Sequence, residues 1–144
     1  MSSPEGRVLS LVELIYRAAR TPDEWNHFAA ALAAELGDPA VALNLEVPGA
    51  PATRRAYRVN SDPSYANVFS ECVARGEFPW RLDKISRDRF VYGSEIFPDS
   101  EIEGTSFYRS YMRPQRMLPV GPVGHVFGSS DGQPMAAMGI YRFD

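Results

Sequence analysis

Val8, Leu11, Val12, Ile15, Ala18 and Ala19 recur three and four residues apart, which predicts a helix over residues 8–20. Thr21-Pro22-Asp23-Glu24 then reads as a restart. Thr21 can cap, Pro22 suits the first helical position, and Glu24 completes a capping box three residues on. Behind it Trp25, Phe28, Ala29, Leu32, Ala33 and Leu36 form one apolar stripe, and Gly37 is placed to close the helix in a left-handed conformation. The period then drops to two. Val41, Leu43, Leu45 and Val47 alternate with Ala42, Asn44 and Glu46, the pattern of a half-buried strand. Pro48-Gly49-Ala50-Pro51 reads as a turn and residues 53–59 as an antiparallel return strand, with Arg54, Arg55 and Arg58 facing water.

Ser61-Asp62-Pro63 opens a third helix, with Tyr65, Val68, Phe69, Cys72 and Val73 as its buried face and Gly76 as its end. Signals weaken over residues 77–96. Phe78-Pro79-Trp80 reads as a loop that inserts aromatics, residues 82–90 as a short helix, and Phe90-Val91-Tyr92 as a short edge strand. Ser100 and Glu103 have capping-box spacing, with Thr105 as an alternative start, for a helix of about three turns. That helix carries Phe107, Tyr108, Arg109, Tyr111, Arg113 and Arg116, and Pro114 is expected to stop it. Residues 119–127 and 134–143 read as two strands around a Ser129-Ser130-Asp131-Gly132 hairpin turn. The order of elements predicts an α+β fold, an antiparallel sheet with helices.

The chain has 144 residues, 44% of them hydrophobic and 23% charged, which suits one domain around one core. The net charge of -3 lacks the basic excess expected of a domain that grips nucleic acid through phosphates. Direct contact with nucleic acid is therefore not expected. Cys72 is the single cysteine, so an internal disulfide or a cysteine-based zinc site is excluded, and a reducing, cytoplasmic location is expected. Residues 1–7 carry no signal-peptide pattern and are expected to be a flexible N-terminus. No apolar run approaches the roughly 20 residues of a membrane-spanning helix. Lys84 is the sole lysine among 15 basic residues, a bias that suggests a GC-rich bacterial genome.

Catalytic chemistry finds little support. His27 and His125 are the two histidines, without metal-ligand spacing, and read as structural or solvent-facing. Cys72 lies on an apolar helix face and reads as a small buried side chain. Glu95, Asp99, Glu101 and Glu103 lack the spacing and central glycine of a calcium loop and read as a solvated helix start. Gly121 and Gly124 do not form a phosphate loop, since no Lys-Ser/Thr follows. Arg109, Arg113 and Arg116 share a helix face if the helix continues, either as an anion or acidic-partner site or as a solvated face paired with Glu95, Glu101 or Glu103. No metal site is indicated, and the sequence leaves any cofactor unknown.

The aromatic residues say more. Tyr57, Tyr65, Phe69, Phe78, Trp80, Phe107, Tyr108 and Tyr111 come from segments expected to converge on one sheet face. Aromatic walls with a few polar groups are how small-molecule sites are built, although the same rings also serve as core. A cavity of a few hundred cubic ångströms lined by Tyr57, Tyr65, Phe69, Trp80 and Tyr111 is the expectation, with Phe107 counted among the ligand-binding residues.

Five stretches carry a family resemblance: Asp23-Glu24-Trp25, Leu36-Gly37, residues 40–45, Tyr65, and Ser106-Phe107-Tyr108-Arg109 running into Arg113-Pro114-Gln115. Through them, nearly the whole chain resembles the GAF/PAS-like N-terminal sensory domain of bacterial LuxR-type helix-turn-helix regulators. The resemblance implies a GAF/PAS-like central antiparallel sheet with helices on its faces, a small-molecule pocket between sheet and helices, and a non-catalytic, signal-receiving role as a homodimer. The helix-turn-helix that follows in such regulators is not in residues 1–144, and the tryptophan/tyrosine/aspartate signature of the autoinducer-binding branch has no clear counterpart. An acyl-homoserine lactone is thus one candidate ligand among others. The alternative is a protein-interaction or dimerisation module without a ligand, using the first helix and the Arg109/Arg113 face.

Overall fold

The computed structural model describes residues 3–47, 50–81, 89–128 and 135–144. Helix α1 (Pro4–Arg20) begins inside the stretch expected to be flexible. Ser3 explains the early start, because its hydroxyl accepts the Gly6 N–H at 3.0 Å while Pro4 takes the opening of the helix. The expected capping box at Thr21 does not form. Thr21 makes no side-chain cap, residues Pro22–Glu24 form a 3-10 turn, and helix α2 (Trp25–Glu35) continues from it. The Glu24 carboxylate is taken instead by His27 Nδ1 at 2.7 Å. Gly37 (φ 83°) and Gly76 (φ 72°) end α2 and α3 (Ala66–Ala74) in the left-handed region, where a glycine carries no Cβ penalty.

Among the described residues, five antiparallel strands follow the alternation of the sequence: β1 (Ala40–Val47), β2 (Ala50–Val59), β3 (Val91–Tyr92), β4 (Val123–Gly128) and β5 (Met135–Tyr141). They pair in the order β2-β1-β5-β4-β3. The short Val91–Tyr92 strand lies at one edge, as its sequence suggests. The expected hairpin turn at 129–132 and most of the expected 82–90 helix lie outside the described residues.

Alternate residues of β1 feed two separate cores, as strand geometry requires. Val41 and Leu43 pack with Ala29 and Ala33 of α2, Tyr57 of β2 and Met138 of β5. Ala40 and Ala42 face the other way, toward Cys72 of α3, Trp80, Ile102, Phe107, Tyr111, Met112, Met117 and Tyr141. The sheet is therefore covered on both faces, by α2 on one and by α3 with residues 98–117 on the other.

The segment after Pro98 is not one regular helix. Asp99–Gly104 is 3-10, Tyr108–Met112 is a π-turn, Arg113–Gln115 is 3-10 again, and Arg116 ends it in the left-handed region (φ 64°). Thr105, not Ser100, supplies the cap, its hydroxyl accepting the Tyr108 N–H at 3.1 Å. Pro114 lies within the final turn rather than stopping the helix. The wider π-turn brings Tyr111 and Met112 inward together with Phe107.

Candidate functional site

Five of the six residues expected to bind a ligand meet on the α3 face of the sheet. Phe69, on α3, has its ring centroid 5.3 Å from Tyr111 and 5.9 Å from Phe107. Phe107 stacks on Tyr111 at 5.0 Å with an interplanar angle of 24°. Trp80 meets Phe107 edge-on at 5.9 Å, and Phe78 sits among Phe69, Trp80 and Phe107 at 5.2–5.6 Å. Tyr65 packs at the margin of the group, half-buried. Tyr57 does not join them. It points through the opposite face of the sheet into the α2 core, because its position in β2 has the opposite parity to Arg58.

These rings form a block filled by their own side chains. Trp80 and Phe107 are fully buried, and their edge-to-face contacts are the arrangement aromatic quadrupoles favour. Trp80 and Phe107 are thus taken up by contacts with the other rings, while Tyr65, Phe69 and Phe78 stay partly exposed. An open cleft of about 410 Å³ lies elsewhere, lined by Pro79, Arg81, Glu95, Ile96 and Phe97. Pro79 and Arg81 flank Trp80, whose indole N–H is buried with no hydrogen-bond acceptor among the described residues.

Arg58 departs from the expectation that it faces water. It pairs across the sheet with buried Ala42, so the register turns it toward the aromatic block. Its guanidinium carbon sits 4.7 Å above the Phe69 ring, a cation–π contact, and its Nε is buried without a hydrogen-bond partner among the described residues. Beside it, burial and the neighbouring Tyr111 hold the Tyr141 phenol well above its ordinary range, while the charge of Arg58 acts in the opposite sense. Strand alternation alone does not reveal this for Arg58, because it takes the β1–β2 register to set the arginine opposite buried Ala42.

The remaining candidates have structural partners. Cys72 is fully buried, with Sγ 3.7 Å from Ser110 Oγ and 3.9 Å from Arg75 Nη2. His125 stacks on Phe127 at 4.2 Å, meets Phe90 at 4.9 Å, and its Nδ1 bonds the Val126 carbonyl oxygen. Glu95 accepts from Arg89 at 2.8 Å and from the Tyr92 N–H at 2.8 Å, which holds its carboxyl below the usual value. Asp99 accepts the Gly121 N–H at 2.8 Å, and Arg109 donates to the Gly104 carbonyl oxygen at 2.8 Å. Among the described residues no group of three or more His, Cys, Asp or Glu could hold a metal ion. Among the same residues no helix is long and apolar enough to cross a membrane. No family model, curated protein or solved structure matches this chain.

Proposed function

We propose that the chain is a non-catalytic, small-molecule-sensing regulatory domain of GAF/PAS-like fold, of the kind found in LuxR-type bacterial transcription regulators. The observation that supports this reading best is Arg58. A half-buried guanidinium resting on Phe69, with its Nε unpartnered among the described residues, near the Tyr141 phenol, suits the carboxylate of a ligand whose apolar part lies against Tyr65 and Phe69. Such a ligand would act by changing how the aromatic block packs, with no bond made or broken. The test is native mass spectrometry of the purified chain for a retained small molecule, followed by thermal-shift screening of aromatic and aliphatic carboxylates. A retained or stabilising acid whose effect falls at least about tenfold in Arg58→Met supports the reading. Binding that ignores Arg58, or no binding by any acid, overturns it.

A second reading is a protein-interaction module without a ligand. The filled packing of Trp80, Phe107 and Tyr111 favours it. A chain that captures no small molecule, yet is stabilised by a protein partner, would select this alternative.

A further inference from the structure

Strand β2 stands at the end of the sheet, with β1 on one side. Among the described residues its backbone pairs with β1 alone, which leaves the main-chain donors and acceptors of its other side open. At ten residues it is long for an edge strand, and Arg54, Arg55 and Ala56 are exposed along it. Arg55 Nη1 donates to the Arg54 carbonyl oxygen at 2.9 Å, so its guanidinium lies along the backbone of the strand, within reach of anything laid beside it. An open edge of this length is a template for a further strand.

The charge of the strand selects what can join it. β2 carries Arg54, Arg55 and Arg58 and no acidic residue, and Glu46, 3.2 Å from Arg54, is the single charged residue of β1. A second copy joined at this edge would bring two such sets of arginines along one seam, and like charges facing across strands are destabilising. An extended acidic segment meets them instead. Arg55 pairs with Leu45 and shares the face of Tyr57, so carboxylates at every second residue of an added strand fall on its side of the sheet. We propose that β2 takes up an extended acidic segment of another protein by strand addition, with Arg55 reading its carboxylates. The arginines that guard this edge against apolar strands are the groups that admit an acidic one. The contact stands independently of the ligand reading, since Arg54, Arg55 and Ala56 belong to neither core cluster.

The test uses the whole chain and a synthetic peptide of about eight residues alternating valine and glutamate, with a valine–lysine peptide as its counterpart. In fluorescence anisotropy the glutamate peptide should bind saturably, at least about tenfold more tightly than the lysine peptide. Amide exchange followed by NMR should slow at alternate residues of β2, the signature of a new ladder on its open side. Arg55→Glu changes an exposed side chain, so it should leave the circular-dichroism spectrum unchanged and weaken the glutamate peptide about tenfold. A glutamate peptide that does not bind overturns the proposal, as does binding that Arg55→Glu leaves untouched. Binding without slowed exchange in β2 is a contact of charge alone and overturns strand addition. Protection of β2 that grows with protein concentration, without peptide, gives the edge to a second copy and overturns the acidic partner.

Discussion

Gly93 and Gly121 approach so closely that a methyl carbon built on either would stand 2.7 Å from the other's α-carbon. The same carbon on Gly93 would be 2.6 Å from Trp80 Nε1, and the Gly93 N–H donates to the Pro122 carbonyl oxygen at 2.7 Å. The turn that follows β3 and the segment that leads into β4 are thus sealed by the absence of two side chains. Gly121→Ala should destabilise the fold by about 3 kcal/mol, since backbone atoms on the far side cannot yield. Urea unfolding measures it, and a loss under about 1 kcal/mol would contradict so tight a contact.

Tyr57 gives the opposite sign. Its hydroxyl is buried in the α2 core with no hydrogen-bond partner among the described residues. Removing an unsatisfied hydroxyl relieves its desolvation, so Tyr57→Phe should leave stability unchanged or raise it by up to about 1 kcal/mol. A clear drop in the urea midpoint would mean the hydroxyl is satisfied.

Acid should loosen the end of α3. Glu77 accepts from Arg75 at 3.1 and 3.2 Å and from Ser106 at 2.9 Å, and these bonds, Arg75 first, hold its carboxyl below the ordinary 4.5. A carboxyl lowered in the folded state stabilises it above pH 4.5, and that contribution disappears as the pH falls below this value. Melting temperatures followed from pH 7 to pH 3 should fall on the acid side, with a shallower fall in Glu77→Gln. Identical acid limbs in the two proteins would sink this assignment.

Cys72 should be silent in the folded chain. Its thiol is fully buried among the aromatic block, so alkylation requires opening of the surrounding structure. Labelling by a maleimide, read by mass, should be on the order of a hundredfold slower in buffer than in denaturant. Equal rates would place the thiol at the surface.

The strands of the sheet were legible because alternation is a local property. Val41, Leu43 and Leu45 announce a strand wherever it ends up packing. Helix α1 shows the limit: its periodicity is real, but periodicity cannot say whether a neighbour exists to cover each face, and Val8, Val12 and Ile15 stay in water. Val73, counted on the buried face of α3, is likewise 47% exposed. The meeting of Phe69, Trp80, Phe107 and Tyr111 was anticipated from their segments. Their mutual filling was not, because side-chain volumes around a block are fixed only by the three-dimensional arrangement. Tyr57 was misassigned to that face for want of a register, and the same register explains why Arg58 was missed. The π-turn at Tyr108–Met112 has no sequence signature of its own, so the segment read as an ordinary helix.

The position of β5 carries a consequence for how a cell makes this protein. Met135–Tyr141 is latest in the chain among the five strands, yet it lies between β1 and β4, pairing Ala40 with Tyr141 and Val123 with Ile140. While a ribosome is still elongating the chain, the β2–β1 ribbon and the β4 edge have no strand to join them. The edge of β1 waits, unpaired, through the synthesis of nearly a hundred further residues. Such long-range closure slows folding and lengthens the time an open edge is available to other chains. Synthesis that stalls before residue 135 would therefore release a nascent chain with an exposed β1 edge, a natural client for chaperones.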